Sequence, residues 1–282
     1  MAHNPLVSII MPAFNHELYV GEALQSIGNQ TYHNTELIVI DDGSTDRTTE
    51  IIRAYIEKNG GHNIRFISKP NEGVCRTLNA GLAMATGDYI AFIASDDVWL
   101  PERLARQLEF MENNREIGMV FADVWFLDGT RRTNSRWSDY KPTLRGLFTN
   151  GIAVDNLYTR LLTQPLVPAL TVLIRRRVLL DVGFFDESLI YEDHDLWLRI
   201  AMKYPLGYID SPLACYRLHA ANVSNNAVFM LKGMWQTVRK HLKVGPLKNS
   251  RRRQVGVLLQ LAGNLFASRL KRRLRRLKKP NG

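Results

Sequence analysis

Three pairs of adjacent carboxylates are the groups in this sequence best suited to chemistry: Asp41-Asp42, Asp96-Asp97 and Glu192-Asp193. The first two pairs follow apolar runs at residues 36–40 and 89–93, which are typical of strands buried on both faces of a parallel sheet. Open α/β sheets bind ligands beyond the carboxyl ends of their strands, so acids at this edge could hold a cation and the phosphates that it carries. Such oxygen ligands suit Mg²⁺ or Mn²⁺. Taken alone, Asp96-Asp97 could equally be a solvated turn with an Asp that caps the next helix.

Alternating strands and helices must position these acids. Pro12 should end the first strand, because proline cannot continue a central strand, and Asn15 should cap the first helix. Residues 127–168 have weak periodicity, which predicts loops and short helices beside the site. The alternation predicts an α/β fold with a parallel sheet. Strands are predicted at 6–11, 36–40, 64–67, 89–93, 118–122 and 171–174, and helices at 47–58, 73–85, 101–114, 178–183 and 191–204.

Charge is distributed unevenly along the chain. Residues 1–210 contain 20 Lys/Arg and 27 Asp/Glu, whereas residues 211–282 contain 17 Lys/Arg and no acid.

The two cysteines, Cys75 and Cys215, predict neither a disulfide framework nor a zinc site, which fits a reducing cytosol. The N-terminus lacks the pattern of a signal peptide, and no apolar stretch is long enough to span a bilayer.

Five motifs, in order and at matching spacing, resemble those of the family 2 glycosyltransferases. They are VSIIMPAFN at 7–15, VIDDGSTD at 39–46, NEGV at 71–74, SDD at 95–97 and EDHDLWLR at 192–199. Each motif alone is a modest signal, but five in order make a chance match very unlikely. The resemblance covers about residues 5–225. It implies the GT-A fold, an α/β fold with a Rossmann-like, mostly parallel central sheet flanked by helices, and inverting transfer of a sugar from a nucleotide-diphosphate sugar.

The resemblance also assigns the nucleotide side of the site. It places the base against Pro12-Ala13-Phe14-Asn15 and gives Asp41-Asp42 the task of accepting a hydrogen bond from the base ring. The same acids could form a turn and a helix cap, and one acid could bind while the other caps. Gly73 and Arg76 are placed near the diphosphate, where a helix N-terminus offers N–H groups to an anion. Relatives often carry an arginine where this chain has Leu78, and whether Arg76 replaces that charge stays open.

The metal motif of the family matches Ser95-Asp96-Asp97, although Ala94 stands where the longer family pattern begins with an acid. The resemblance implies that Ser95 and Asp96 contact the donor. Asp96 and Asp97 are the predicted ligands of Mg²⁺ or Mn²⁺, without a ranking between them. His219 matches a position at which a histidine often reaches the metal or the diphosphate, although a lone histidine can also be structural.

The reacting end of the site is assigned to the third pair of acids. In the family the aspartate of this pair is the general base, which makes Asp193 the candidate base and places Glu192 on the acceptor side. Acids in the first turn of a helix are also favoured by the helix dipole, which is a structural reason for them. Thr171 matches a small hydroxyl residue near the acceptor, and this correspondence is weak.

The basic C-terminal segment divides the predicted chain into a GT-A catalytic domain at 1–225 and a helical extension at 226–282. Apolar residues at helical spacing from Val255 to Leu277, among 16 Lys/Arg from Lys232 onward, predict an amphipathic helix on an anionic membrane surface. A helix that packs on the body with a solvated basic face is the alternative. Nucleic-acid binding is not expected, because Phe266 is the only aromatic residue after Trp235 and base stacking is unsupported.

These inferences predict a metal-dependent inverting hexosyltransferase that is cytoplasmic and peripheral on the inner face of the cell membrane. Its donor would be a UDP- or dTDP-sugar and its acceptor a saccharide, free or lipid-linked, in the synthesis of O-antigen, capsule or exopolysaccharide. A nucleotidyltransferase of similar architecture is disfavoured, because residues 12–16 lack the glycine-rich basic loop that holds a triphosphate. A non-catalytic membrane or nucleic-acid adaptor that uses the basic segment is the other alternative.

Overall fold

The computed structural model describes residues 4–59, 63–153, 157–190 and 192–244, and residues 247, 248, 251, 254–257 and 259. The described strands are β1 Val7–Ala13, β2 Thr35–Asp41, β3 Ile64–Ser68, β4 Tyr89–Phe92, β5 Val98–Trp99, β6 Met119–Asp128, β7 Arg131–Arg136, β8 Phe148–Thr149, β9 Ile152–Ala153, β10 Leu173–Arg175 and β11 Leu206–Leu218. The described α-helices are α1 Val20–Gly28, α2 Thr48–Asn59, α3 Val74–Met84, α4 Arg103–Asn113, α5 Leu157–Thr163, α6 Arg176–Val182, α7 Glu192–Ala201 and α8 Ala227–His241.

One sheet organises the described chain, with the strand order β3-β2-β1-β4-β10-β6-β11-β9-β8. Strands β1 to β4 are mutually parallel, and β11 runs parallel to β6. Strand β10 is antiparallel to both of its neighbours, β4 and β6. The prediction of a mostly parallel central sheet flanked by helices is confirmed.

Alternate residues of the central strands enter two hydrophobic cores, one on each face of the sheet. In β1, Ile10 belongs to one core, and Ile9 and Met11 belong to the other. Residues of α3, α5, α6, α7 and α8 fill the first core, and residues of α1, α2 and α4 fill the second. Helices on both faces explain why these strands have unbroken apolar sequences instead of alternating ones.

Pro12 does not end the first strand, and that expectation was wrong. Strand β1 continues to Ala13, and Pro12 lies opposite Ile40 of β2. The ladder with β4 ends earlier, where Ile10 pairs with Phe92 and its carbonyl accepts the N–H of Ile93. In a strand, the backbone N–H groups of residues two apart point towards the same neighbouring strand. The nitrogen of Pro12 therefore faces the side on which β4 has already ended. Its missing N–H therefore breaks no ladder hydrogen bond.

Asn15 does not cap the first helix either. Helix α1 begins at Val20, after a turn in which the N–H groups of Tyr19 and Val20 donate to the carbonyl of His16. Asn15 has a φ of 52°, a left-handed conformation in which asparagine is enriched. The Asn15 side chain is bonded to the loop after β2 instead, as described below.

Strand β11 was not predicted from the sequence. Asp210-Ser211-Pro212 in its middle is typical of a turn. The strand accommodates these residues as an irregularity, since its register against β6 shifts between Ile209 and Pro212 and again between Pro212 and Ala214. The strand then continues to Leu218, and His219 follows directly at its end.

Two further predicted segments differ from the structure. The strand predicted at 171–174 is β10, Leu173–Arg175, whereas Thr171 lies in a short 3₁₀ helix, Ala169–Thr171. The segment 127–168 contains the end of β6 and the paired strand β7 as well as short helices. Strand β7 was not predicted because its sequence is polar throughout. It lies at an edge of the sheet, where it pairs with β6.

Helix α8 packs on the body of the protein. Val238 and His241 are fully buried against α5 and α7, and Val238 is part of the first hydrophobic core. The proposed domain boundary at 225/226 directly precedes this helix. Tyr191, at the start of a predicted helix, and residues 260–282, which hold most of the predicted tail helix, lie outside the described residues. Among the described helices, none combines the length and the apolar character needed to cross a membrane.

Candidate active site

The loops that follow β1 and β2 are bonded to each other at the carboxyl edge of the sheet. The N–H of Asn15 donates to Oγ of Ser44 at 2.9 Å, and Oδ1 of Asn15 accepts the N–H of Thr45 at 2.8 Å. The N–H of His16 donates to Oγ1 of Thr48 at 2.8 Å. These bonds fix residues 15 and 16 relative to the start of α2.

The two acids at the end of β2 are both buried and have different partners. Asp42 accepts the N–H groups of Glu72 and Gly73, each at 3.0 Å, and an ion-pair hydrogen bond from Lys69. Burial alone would raise the pKa of Asp42, but the bonds from Lys69 and from the Glu72 N–H hold that pKa below its ordinary value. Asp41 accepts a hydrogen bond from Oγ of Ser68 at 2.9 Å. Asp42 therefore holds the loop that contains Gly73, whose φ of 90° favours glycine.

Three side chains converge beyond the ends of β1, β4 and β11: His16, Asp96 and His219. Nε2 of His219 lies 2.8 Å from Oδ2 of Asp96, and Nε2 of His16 lies 3.8 Å from the same oxygen. One ligand atom from each residue lies within 4.8 Å of the other two. Burial lowers the pKa of His16 despite the opposing charge of Asp96, which favours the neutral imidazole that a metal requires. No other group of three such side chains in the described part of the chain could hold a metal ion.

Asp97 is not part of this group, and its carboxylate is bonded to Arg217. Oδ1 of Asp97 accepts the backbone N–H of Arg217 at 2.9 Å, and Nε of Arg217 donates to the carbonyl of Asp96 at 2.7 Å. The buried guanidinium also forms an ion pair with Glu22 and a hydrogen bond to the carbonyl of Gly129. Burial and the charge of Asp96 raise the pKa of Asp97 well above its ordinary value. Arg217 therefore fixes the backbone that carries both acids.

The third pair of acids lies in the first turn of α7, and the segment that precedes α7 contacts the start of α3. The thiol of Cys75 on α3 donates to the carbonyls of Asp186 and Leu189, in the segment before α7, at 3.8 and 3.6 Å. Oδ1 of Asp193 is buried and has no hydrogen-bond partner among the described residues. Burial raises the pKa of Glu192 to about 7, and burial together with the charge of Glu192 raises the pKa of Asp193 well above its ordinary value. Asp193 is thus a carboxyl group with a free oxygen and a basicity suited to accepting a proton.

Comparison with known proteins identifies the family of this chain. Residues 8–169, more than half of its 282 residues, match the family model described as Glycosyl transferase family 2. The chain belongs to glycosyltransferase family 2. An uncharacterized glycosyltransferase of Rickettsia prowazekii is 31% identical over 246 residues, which are 85% of this chain and 73% of the relative. A second relative, from Haemophilus influenzae, is 42% identical over 147 residues, which are 50% of this chain and 58% of the relative.

Solved structures confirm the GT-A fold of this glycosyltransferase. The mannosyltransferase PcManGT from Pyrobaculum calidifontis, in complex with GDP-Man and Mn²⁺, aligns with a TM-score of 0.70 at 18% identity and covers 99% of this chain and 82% of its own. S. aureus TarS 1-349, in complex with UDP-GlcNAc, aligns with a TM-score of 0.68 at 20% identity and covers 92% of this chain and 71% of its own. At these identities the likeness shows the fold.

In this family 2 glycosyltransferase, ion pairs and hydrogen bonds to the buried carboxylate of Asp195 hold α7 in place. Oδ1 of Asp195 pairs with Nε2 of His241 and with Nζ of Lys240, both at 2.9 Å, and Oδ2 pairs with Nε of Arg199 at 2.8 Å. Nδ1 of His241 lies 3.0 Å from the hydroxyl of Tyr158 on α5. Asp193 lies two residues from Asp195 on the same helix, so α8 and α5 contribute to its placement.

Phe14, Arg76 and Thr171 are three further predicted site residues of this glycosyltransferase, and they differ in how far they are buried. The ring of Phe14 is exposed at the end of β1, and Arg76 pairs at the surface with Glu187 at 3.3 Å. Thr171 is fully buried, and its hydroxyl donates towards the carbonyls of Ala122 and Pro168 and accepts the N–H of Ala122. The contacts of Thr171 give it a packing role, and its place beside the acceptor stays an unsupported prediction.

Two residues of this edge of the sheet were missed from the sequence. His16 directly follows the motif that ends at Asn15, but a single histidine after a strand carries no local signal of metal binding. Arg217 lies in β11, which was itself missed. A buried arginine is rare unless it is paired, so its role becomes visible only when Asp96, Asp97 and Glu22 are brought together.

Proposed function

We propose that this glycosyltransferase is a metal-dependent inverting enzyme that transfers a hexose from a nucleotide-diphosphate sugar to a hydroxyl of a saccharide acceptor. The observation that carries the proposal is the convergence of His16, Asp96 and His219 at the carboxyl edge of the sheet, where α/β folds bind ligands. A UDP- or dTDP-sugar is the proposed donor. The named ligands of PcManGT and TarS, GDP-Man and UDP-GlcNAc, support a nucleotide sugar in general.

The proposed metal is Mg²⁺ or Mn²⁺, and the residues at the site fit such an ion. Asp96 supplies an anionic oxygen, and the two imidazoles supply neutral nitrogen donors. When bound, the ion would neutralise charge on the leaving diphosphate. The exposed ring of Phe14 and the acid Asp41 lie at the ends of β1 and β2, and we propose that they contact the nucleotide base.

Asp193 is the proposed general base for the acceptor hydroxyl. The Asp193 carboxylate would accept the proton while the hydroxyl oxygen attacks the anomeric carbon and the diphosphate leaves from the opposite side. Burial and the charge of Glu192, which lies beside Asp193 in the first turn of α7, raise the pKa of Asp193. This in-line displacement would invert the configuration at the anomeric carbon.

A panel of UDP-, dTDP- and GDP-sugars tests the proposal. Each donor is incubated with the protein, a mixture of saccharide acceptors and either Mn²⁺ or Mg²⁺, and the released nucleoside diphosphate is measured. We expect one donor class to release the diphosphate only when the metal is present, and NMR of the product to show an inverted anomeric centre. Release of diphosphate from no donor, or a product with retained configuration, would contradict the proposal.

The raised pKa values of the Glu192-Asp193 pair predict the pH dependence of transfer. A general base works only as the carboxylate, so a raised pKa moves the loss of activity upward in pH. An ordinary aspartate would lose its charge near pH 4. Here kcat/KM should be lost at a clearly higher pH as the pH is lowered, because burial and the charge of Glu192 raise the pKa of Asp193 well above its ordinary value. The measurement is kcat/KM between pH 5 and 9 at constant metal concentration.

A substitution separates this pair from other titrating groups. Glu192→Gln removes the charge that raises the pKa of Asp193, so the acid limb of the profile should move to lower pH. Asp181→Asn, at an exposed acid that pairs with Lys203, serves as the control and should leave the profile in place. An acid limb that stays unchanged in Glu192→Gln would show that another group controls the profile.

We propose, further, that the acceptor is a lipid-linked saccharide of a surface polysaccharide, O-antigen, capsule or exopolysaccharide, and that residues 226–282 hold the protein on an anionic membrane surface at the inner face of the cell membrane. The segment carries 16 Lys/Arg and no acid. One side of α8 exposes Val228 and Trp235, at a spacing of seven residues, and Lys232 lies between them. Apolar and cationic side chains on one helix face are typical of helices that lie on membranes.

Binding to lipid vesicles tests the membrane proposal. We expect the full chain to co-sediment with vesicles that contain phosphatidylserine, and to stay in solution with neutral phosphatidylcholine vesicles. Replacing the seven Lys/Arg of residues 271–279 by Gln should remove most of this binding, since each cation near such a surface contributes about 1 kcal/mol. Equal binding to both kinds of vesicle, or unchanged binding of the substituted chain, would contradict the proposal.

A further inference from the structure

We propose that a group of four aromatic residues binds the acceptor saccharide, and that Lys141 beside it binds an anionic group of this acceptor, a phosphate or a carboxylate. The four residues, here called the aromatic patch, are Phe126, Trp137, Tyr140 and Tyr216. This role rests on the proposed function, since it names the class of acceptor that the glycosyltransferase would take.

The ring of Phe126 lies at the centre of the aromatic patch. Its centroid lies 5.5 Å from that of Tyr140, 6.0 Å from that of Tyr216 and 6.4 Å from that of Trp137. Tyr140 is 53% exposed, and the other three residues are half-buried. Apolar residues scattered singly over a surface are normal, whereas contiguous ones mark sites of interaction. The aromatic patch is therefore a candidate binding surface.

The polar atoms of Trp137 and Tyr216 are engaged within the protein, which leaves their rings for a ligand. Nε1 of Trp137 donates to the carbonyl of Leu166 at 2.9 Å, and the hydroxyl of Tyr216 lies 2.8 Å from Oγ of Ser224. The face of an aromatic ring carries partial negative charge, so it attracts the C–H groups on one side of a sugar ring. Rings that are already held in place lose little conformational entropy when a saccharide binds.

One end of the aromatic patch lies beside the proposed donor side. Phe126 and Tyr216 are paired in the ladder between β6 and β11, close to the carboxyl ends of both strands. The residue after Tyr216 is Arg217, whose backbone N–H donates to Oδ1 of Asp97 at 2.9 Å. Burial, together with the charges of Asp97 and Asp96, raises the pKa of Tyr216 to about 12. A saccharide on the patch would therefore be held close to the donor.

The other end of the aromatic patch is connected to the helix that carries the proposed base. Nε1 of Trp137 is bonded to the segment that follows α5, and α5 packs against α7. His194 directly follows Asp193 on α7. Burial lowers the pKa of His194 to about 4, and the charges of His241 and Lys141 contribute to this change. The patch and Lys141 therefore connect the donor side with α7, and an acceptor must contact both.

Lys141 supplies a charge that has no counter-ion. Its ammonium lies 5.0 Å from the centroid of the Trp137 ring, and it forms neither an ion pair nor a hydrogen bond within the described part of the chain. The side chain is half-buried, and burial lowers the pKa of Lys141. The contact with Trp137 leaves the N–H donors of the ammonium available. A partly buried cation without a partner is stabilised when an anion binds to it.

The rings and the cation together define the class of acceptor. A neutral sugar would use only the rings, and a free anion would use only Lys141, so a saccharide that carries an anionic group fits both. The phosphate of a lipid-linked saccharide and the carboxylate of an acidic sugar share this chemistry. Lysine binds either group, because its ammonium is a compact point charge.

Saturation-transfer NMR with small probes tests the inference, without a sugar donor and with EDTA, so that no metal ion holds the probes. The probes are glucose 1-phosphate, glucuronic acid and methyl glucoside, with inorganic phosphate as a competitor. We expect saturation to pass from aromatic protein protons to the C–H groups of one or both charged sugars. The charged sugar should bind at least about tenfold more tightly than methyl glucoside or inorganic phosphate. A preference for one charged sugar identifies the anionic group as phosphate or carboxylate.

Matched variants locate the binding. Lys141→Gln should weaken binding of the charged sugar by about tenfold or more, the effect of losing a hydrogen bond to a charged group, and should leave methyl glucoside unchanged. Tyr140→Ala should weaken binding of every sugar probe by about two- to tenfold, the range for one aromatic contact. Tyr140→Phe keeps the ring and should bind normally, as should Lys58→Gln, at an exposed lysine on α2. Thermal unfolding checks that each variant is folded.

Each outcome decides for or against the inference. Equal binding of neutral and charged sugars, or unchanged binding in folded Lys141→Gln or folded Tyr140→Ala, would overturn it. The expected binding pattern in a protein that releases diphosphate from no donor would support this binding surface and contradict the proposed function. Metal-dependent transfer to a neutral saccharide at the same rate in Lys141→Gln and Tyr140→Ala would do the reverse.

Discussion

Asp193→Asn should lower the rate of sugar transfer by about 10²- to 10⁴-fold, the usual contribution of a general base. Asparagine has nearly the same shape as aspartate but cannot take the proton of the acceptor hydroxyl. Donor binding should be unchanged, because the proposed donor contacts lie at the ends of β1, β2 and β4 and not on α7. The measurements are kcat for transfer and donor affinity by calorimetry in the presence of Mn²⁺.

Asp181→Asn is the matched control for this substitution. Asp181 lies on α6, is paired with Lys203 and Tyr204, and is exposed, so neither measurement should change. Near-normal turnover in Asp193→Asn would remove Asp193 as the base. A folded variant that has lost donor affinity would instead place Asp193 in donor binding.

Asp96→Asn should remove the metal-dependent part of donor binding. Asp96 provides the charged oxygen around which both imidazoles are arranged, and a neutral amide is a much poorer ligand. The loss of a residue that only supports a ligand costs about 10- to 100-fold in metal affinity, so the loss of this ligand should cost at least about 100-fold. Calorimetric titration of the nucleotide sugar with and without Mn²⁺ measures the effect.

Asp88→Asn provides the control at the opposite end of the same strand. Asp88 precedes β4, is exposed and accepts the N–H of Leu6 at 3.1 Å, far along the strand from the site. Its donor affinity should keep the full response to Mn²⁺. A normal Mn²⁺ response in Asp96→Asn would show that the ion is held elsewhere.

Most of the sheet could be predicted from the sequence because its central strands are apolar on both faces. The runs that form β2 and β4 are unbroken, and helices cover both sides of them. Prediction was less successful where tertiary context overrides a local rule. Pro12 is tolerated because β4 ends before it, and Asp210-Ser211-Pro212 is tolerated as an irregularity against β6. Neither condition is visible in the local sequence.

The residues of the candidate site could be predicted from the sequence where they belong to a motif of the family. The structure brings His219 to Asp96, as the motif comparison suggested, and leaves the roles of Asp41 and Asp193 as predictions. His16 lies 79 residues from its partner Ser95, and the backbone of Arg217 is bonded to Asp97 across 120 residues. Such partners are identified by the fold and not by spacing along the chain.

The hydrogen-bonding contact between Asp195 and His241 also affects the order in which the protein can be completed during synthesis. His241 lies 46 residues after Asp195, and without His241 and Lys240 the buried carboxylate lacks two of its three side-chain partners. At about 5–20 residues per second, a ribosome adds those residues roughly 2–9 s after Asp195. Strands β1 to β4 precede Asp195 in the chain, whereas α7 gains its partners on α8 only after His241 has been synthesised. A nascent or truncated chain that ends before α8 would therefore lack two of the contacts that place α7 and Asp193, the proposed base.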